Sequence, residues 1–282
     1  MKTAILTDST CNLPKEYIDG NENLFVLPLN ISVDGELFMD QIEISSSEVY
    51  SKIDDHDIKT SLSSFGVIGN IIEEIKGKGY ENLFIINLSS NLSGTHNVFR
   101  LVANEVEGIE IKLYDSFTLG MGLGYLVIDA IKMFKKDNSM DEVITKLNDI
   151  RFNKMITTFT VETLKYLRAG GRIGKVEGTI ADILRIKPIV CVGDDGIYFT
   201  LVKARGNNKA LTKLIDVLLN KFHSRKIKVT VQYGINEEKA LKFLERIKLE
   251  LNVNESDVIQ VTPVLGVHTG PGFIGVAAYE ID

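Results

Sequence analysis

The chain has 282 residues, 44% hydrophobic and 25% charged, ordinary proportions for a folded protein with one large domain or two modest ones. Its 38 acidic side chains outnumber 32 Lys and Arg, a net charge of -6, which argues against nucleic-acid binding because phosphate contacts need clustered cations. Cys11 and Cys191 are far apart and in no metal-ligand spacing, so a disulfide scaffold or cysteine metal site is not expected, and two reduced thiols fit a cytoplasmic protein.

The N-terminal TAILTD predicts a short apolar strand, and the single Lys before it is too little for a secretory leader. LFVLPLNISVDGELF predicts two strands around the Asp34-Gly35 turn. In SSSEVYSKI, Ser45 stands three residues before Glu48, a capping box that opens a helix. LSSFGVIGNIIEEIKGKG predicts an amphipathic helix closed by Gly77 and Gly79. Strand NLFIINL, helix GTHNVFRLVANEV and strand EIKLYD follow. The next helix lies within FTLGMGLGYLVIDAIKMF and is apolar around most of its circumference, which predicts burial. Asp129 and Lys132 interrupt it, so it is no membrane span. SMDEVITKLNDI is a further capped helix. Strands alternating with helices predict a mainly parallel sheet with helices on both faces.

The second half differs. MITTFTV leads through a short helix to the glycine-rich break RAGGRIG, and KPIVCVGDDGIYFTLVKA predicts a hairpin turning at Asp195-Gly196. Two amphipathic helices flank strand KIKVTVQY, and two strand-like runs close the chain around the glycine-rich loop GVHTGPGFIG. The fold class expected is α/β, with two α/β domains: an N-terminal one over residues 1–154 and a smaller two-layer one over 155–282.

Three apolar strands end in small polar clusters, at LTDST, NLSS and YDSF. In an open parallel sheet, ligands lie off the carboxyl ends of the strands, so these ends would converge on one crevice; the competing reading is that Asp and Ser serve there as ordinary turn and cap residues. The middle cluster continues into SGTH, so Ser89, Ser90, Ser93 and Thr95 precede one helix. Helix capping uses one hydroxyl, worth about 1 kcal/mol. The others leave room for an anion cradle of hydroxyls and helix N–H groups, centred on Ser93, Gly94 and Thr95. A nucleophilic Ser93 is the competing use, but residues 91–95 lack the G-x-S-x-G elbow. His96 lies on the same helix, His56 and His223 sit among charges, and only His268 is placed to act as a base, with no orienting carboxylate in sight. His268 can instead donate one N–H to a carboxylate when neutral, or two when protonated. Arg172, inside the glycine-rich break, is a candidate anion partner, and TSLSS supplies Thr60 and Ser61. Lys203, Arg205 and Lys209 gather at a helix start, where the dipole disfavours cations, so a compensating partner is in order. No Walker loop or other nucleotide cradle is present in these motifs.

Taken in order, TDSTCNLP, KTSLSS, SSNLSGTHN, YDSFTLGMGLG, TVETLKYLRAGGRIG, LRIKPIV, VKARGNNKAL and HTGPGFIGV resemble the DegV family, the fatty-acid-binding subunits of bacterial fatty acid kinase. The resemblance runs nearly end to end. It implies two α/β domains with one long-chain fatty acid buried between them as ligand, no cofactor, no metal and no catalytic residue in this chain. A separate ATP-using kinase catalytic subunit would phosphorylate the carboxylate, and a downstream acyltransferase, with the membrane surface as one setting, would take the acyl-phosphate for phospholipid synthesis. By motif, Ser93 matches the principal carboxylate hydroxyl, Thr60 or Ser61 the second, with Arg172 and His268 completing the head-group site. Arg205 resembles a residue that engages the kinase. Leu62-Ser63 stand where the family usually has Gln-Pro, His96 where an aromatic is common, and Asn97 where Gln is more typical. Two rivals remain beside this reading: a Ser93-dependent acyl hydrolase, and a sensor whose lipid occupancy acts on a protein partner.

Overall fold

The computed structural model describes residues 2–179 and 186–281. The beginning of the LRIKPIV motif, at residues 184–185, therefore lies outside the described residues. The chain opens with β1 (Thr3–Asp8), α1 (Lys15–Asp19) and β2 (Leu24–Leu27), then a hairpin of β3 (Asn30–Val33) and β4 (Glu36–Met39). After α2 (Ser46–Lys52), β5 (Ile58–Ser61) and α3 (Phe65–Gly77) come β6 (Asn82–Asn87), α4 (Thr95–Ala103) and β7 (Glu110–Asp115). Helices α5 (Met121–Phe134) and α6 (Met140–Asp149) complete this half. The remainder runs β8 (Met155–Thr160), α7 (Lys165–Ala169), β9 (Ile186–Val192), β10 (Tyr198–Arg205), α8 (Asn207–Phe222), β11 (Ile227–Tyr233), α9 (Glu237–Glu250), β12 (Val253–Gln260), α10 (Pro263–Thr269) and β13 (Ile274–Glu280).

The first domain is built on a parallel sheet ordered β2-β1-β6-β7. Its central strands are buried on both faces, which explains their continuous apolar runs. Helices α3 and α4 cover one face and α5 the other. The second domain carries a six-stranded sheet ordered β10-β9-β8-β13-β11-β12, antiparallel except for the β11–β12 pair. Helices α8 and α9 pack on its outer face. Between the sheets lies α5, with Met121 through Ile131 all buried. The layers therefore stack as helix, sheet, helix, sheet, helix, and one apolar core continues through the middle of both domains.

Several sequence expectations hold in detail. Both capping boxes form, Ser45 with Glu48 and Ser139 with Glu142. Asp34 (φ 51°) and Gly35 (φ 91°) turn the β3–β4 hairpin with both central residues left-handed, the geometry that matches strand twist. Other expectations need correction. The run LFVLPLNISVDGELF makes three strands, not two: Pro28 interrupts it, β2 joins the parallel sheet, and β3 and β4 join β5 in a separate antiparallel sheet. The second sheet is the larger, six strands against four. The glycine-rich GVHTGPGFIG is not all loop, because its first four residues finish α10. A Gly and two Val residues lower helix propensity there, but burial and Pro263 in the first turn carry the helix.

Candidate functional site

The carboxyl ends of β1 and β6 face the inner surface of the six-stranded sheet across a cavity of about 750 Å³, its opening to solvent included. Leu29, Leu88, Leu92, Leu119, Phe159 and Phe273 make much of its wall apolar. Four residues singled out from the sequence converge on it from four separate elements: Thr60 from β5, Ser93 from the turn before α4, Arg172 from the break after α7, and His268 from α10.

Thr60 and Ser61 are neighbours on a strand, so they point to opposite faces. Thr60 reaches the cavity, where its Oγ1 lies 2.8 Å from His268 Nε2. Ser61 is exposed, its backbone paired with Asn30, and does not line the cavity. The Ser93 hydroxyl lies 2.9 Å from Thr95 Oγ1 and accepts from the Thr95 N–H at 3.3 Å. Thr95 is buried behind Ser93 and orients it without lining the cavity. Gly94 is the residue before α4 and lines a second, polar cleft of about 650 Å³, which shares Ser93 and Arg172 with the cavity wall. Leu62, one of the departures from the family pattern, covers Gly94: its Cδ1 would lie 3.2 Å from a Cβ there.

Arg172 donates from Nε to the Leu92 carbonyl at 3.1 Å and from Nη1 to the Gly170 carbonyl at 2.7 Å. These bonds hold the guanidinium beside Ser93 while leaving further N–H donors on its fork. His268 is half-buried with its Nδ1 shut off from solvent, and desolvation, aided by the Arg172 charge, pulls its pKa from 6.5 down to about 4. The ring is therefore neutral at pH 7, one of the two states left open by the sequence. Ser93 and His268 do not pair: the Ser93 hydroxyl meets Thr95 Oγ1, and His268 Nε2 meets Thr60 Oγ1. The arrangement is a set of hydroxyls, a guanidinium and a neutral imidazole on the wall of a largely apolar cavity, without an activated nucleophile.

Of the other clusters, Ser89 and Ser90 build the turn. Ser89 Oγ donates to the Gly196 carbonyl at 3.0 Å, and the Ser90 N–H reaches Asp115. Asp8 accepts from the Thr10 and Leu88 N–H groups, so it ties two strand ends together. Arg205 ends β10 on the surface, away from the cavity. Residues missed in the sequence include Gln232, Tyr198 and Thr157, which line the cavity from the second sheet. Gln232 Nε2 donates to Asn12 Oδ1 at 2.9 Å, while its Oε1 accepts from the Met121 N–H at 3.2 Å. A Gln near the end of the apolar strand KIKVTVQY was the available signal. Among the described residues, no helix is long and apolar enough to cross a membrane.

The family model described as "Uncharacterised protein, DegV family" matches residues 2–280. A DegV domain-containing protein of Clostridium perfringens is 38% identical over 276 residues, covering 98% of each chain. Among solved structures, a DegV family protein from Thermus thermophilus, described by its fatty acid binding, superposes with a TM-score of 0.92 at 27% identity and covers 100% of both chains. A stearic acid-binding protein from Eubacterium ventriosum gives a TM-score of 0.87 at 27% identity, covering 99% of this chain and 98% of its own. The Streptococcus pneumoniae fatty acid kinase B3 protein, loaded with linoleic acid, shares the fold with a TM-score of 0.84 at 22% identity, covering 100% of both chains.

Proposed function

This chain belongs to the DegV family, and from that premise we propose that it binds a long-chain fatty acid between its two domains and presents the carboxylate to a separate ATP-dependent fatty acid kinase. The observation that carries this reading is the convergence of Thr60, Ser93, Arg172 and His268 on one largely apolar cavity. An ionised carboxylate leaving water needs donors for its acceptor sites, and charge-assisted hydrogen bonds are the strong kind. Burial supplies about 0.8 kcal/mol per methylene, so a dozen methylenes give roughly 10 kcal/mol before ordering costs. The relatives from Thermus thermophilus and Eubacterium ventriosum, described as fatty acid-binding, support the ligand class.

The polar cleft beside Ser93 and Arg172 supports the kinase partnership, since it brings the carboxylate end next to open solvent where a second protein's phosphoryl donor can reach it. Exposed Arg205 is the residue we assign to kinase docking, and an acyltransferase is the consumer of the acyl-phosphate. The buried free thiols of Cys11 and Cys191 suit a reducing, cytoplasmic setting. We place the domain division at residues 154/155, since β8 begins at Met155 and every described strand after it joins the six-stranded sheet. Native mass spectrometry of the purified chain, before and after addition of C14–C20 fatty acids, tests the binding. A chain that stays empty throughout sinks the proposal. Acyl-phosphate formed only when a kinase and ATP are added tests the partnership, and ester hydrolysis lost in Ser93→Ala would favour the hydrolase instead.

A further inference from the structure

The adjacent glycines of RAGGRIG, Gly170 and Gly171, have different reasons to be glycine. Gly171 has φ +69°, a left-handed conformation with nothing near its missing side chain. Gly170 has φ -77° and ψ -6°, ordinary right-handed backbone at the end of α7 that any residue can adopt. Only space explains it. A Cβ at position 170 would stand 2.0 Å from His268 Nδ1, 2.7 Å from Cε1 and 3.3 Å from Cγ.

That geometry bears on the proton of His268. The hydrogen that takes the place of a Cβ on Gly170 points at Nδ1, and Nδ1 is buried with no hydrogen-bond partner. An N–H at Nδ1 would meet that hydrogen head-on and remain an unsatisfied buried donor, a costly arrangement. A bare lone pair instead accepts a weak Cα–H contact. The ring cannot be turned over to escape this choice without losing the 2.8 Å contact between Nε2 and Thr60 Oγ1. The neutral ring must then carry its proton on Nε2 and donate it to Thr60 Oγ1. With that oxygen accepting, the Thr60 hydroxyl hydrogen is free to turn into the cavity that Thr60 lines. Arg172 secures the device from the other side, since its Nη1 holds the Gly170 carbonyl at 2.7 Å.

We propose that Gly170 is a positioning residue of the head-group site: its Cα hydrogen covers the bare Nδ1 of His268, fixes the Nε2–H tautomer, and thereby makes Thr60 a donor aimed at the bound carboxylate. The inference rests on the fatty-acid reading for the identity of the acceptor, but not for the tautomer. It assigns specificity for an acceptor-only head group, a carboxylate, over a primary alcohol or amide of the same chain length, whose own hydrogens must compete with that of Thr60.

The test is long-range proton–nitrogen NMR on the full chain labelled at its histidines, with the His268 signals identified by their loss in His268→Ala. We expect a neutral ring at pH 7 with the proton on Nε2 and an unprotonated Nδ1. A proton on Nδ1, or on both nitrogens, overturns the proposal. In the second arm, Gly170→Ala should abolish that tautomer signature and weaken palmitate binding at least about tenfold. The same substitution in a His268→Ala background should cost nothing further, because its only obstacle is gone. Equal losses in both backgrounds, or no loss in either, also overturn it. Should the parent chain take up no fatty acid, the proposed function fails on that result, while the NMR measurement still decides the tautomer independently.

Discussion

Ser93 and Arg172 answer different halves of the same requirement, a hydroxyl donor and a positive charge for an anion drawn out of water. In the proposed site, replacing Ser93 by Ala removes one hydrogen bond to the carboxylate. Fatty acid affinity should fall about tenfold, equivalent to about 1.4 kcal/mol, with the circular dichroism spectrum unchanged. Arg172→Lys should fall further, because one ammonium cannot hold the Leu92 and Gly170 carbonyls and still face the ligand as the guanidinium fork does. Calorimetric titration with a long-chain fatty acid checks both, and a Lys variant that binds like the parent would show that only the charge matters. At this scale the sequence was informative about residue type and silent about direction. Thr60 and Ser61 were equivalent candidates until strand alternation sent one inward and the other to solvent. Gly94 and Thr95 belong to the same motif as Ser93, yet they line the outer cleft and the back of the serine.

At the scale of elements, α10 shows what local propensity could not reveal. Its seven residues are too few to be stable alone, and its position is held from outside, by Asp40 Oδ1 accepting from the Val264 N–H at 2.9 Å. Asp40 is buried, and desolvation lifts its pKa from 3.8 to about 7, whereas His268 at the other end of the helix is pushed from 6.5 down to about 4. The two make opposite contributions to stability. The folded state binds the Asp40 proton more tightly than the unfolded chain, so that contribution is present below pH 3.8 and is lost as pH rises towards 7. The folded state binds the His268 proton more weakly, so that contribution is present above pH 6.5 and is lost as pH falls towards 4. Urea midpoints measured from pH 4 to 7 should therefore rise more steeply with pH in Asp40→Asn than in the parent, and less steeply in His268→Ala. Identical slopes in all three proteins would contradict these shifts.

Helix α5 makes the same point through packing. Its apolar circumference announced burial, but not that Gly124 would lie against the backbone of the chain's first turn. A Cβ at 124 would stand 2.5 Å from the Cys11 carbonyl oxygen. Gly124→Ala should therefore destabilise the fold by about 1–3 kcal/mol in spite of alanine's better helix propensity, measured by thermal or urea denaturation. A stabilised variant would mean that α5 and the segment after β1 separate freely.

Across the whole molecule, the central apolar core runs from the first sheet through α5 to the second sheet without a break. Hydrogen bonds join the halves as well: Gln232 to Asn12 and to the Met121 N–H, Tyr125 to Thr230 at 2.6 Å, and Ser46 Oγ to the Val261 carbonyl at 2.6 Å. We expect one cooperative unfolding transition by calorimetry and circular dichroism, not two. The proposed cavity is lined by both halves, so free fatty acid at a hundred times its dissociation constant should add about 2.7 kcal/mol and move that single transition upward. Two separated transitions, with only one shifted by ligand, would show that the domains are independent.

The sequence by itself determined the class of fold, most element positions, the capping boxes and hairpin turns, and the residue types that gather in the proposed anion site. These depend on interactions within a few positions along the chain: apolar periodicity, cap hydrogen bonds and the φ preferences of Asp-Gly. Its ordered motifs also carried the family resemblance. Only the tertiary structure decided that Thr60, Ser93, Arg172 and His268 meet, that Ser61 does not, that α10 is a helix, and that Gly170 is small for the sake of a ring 98 positions away. Those outcomes rest on contacts between segments distant in the chain, where burial and steric fit outweigh local preference.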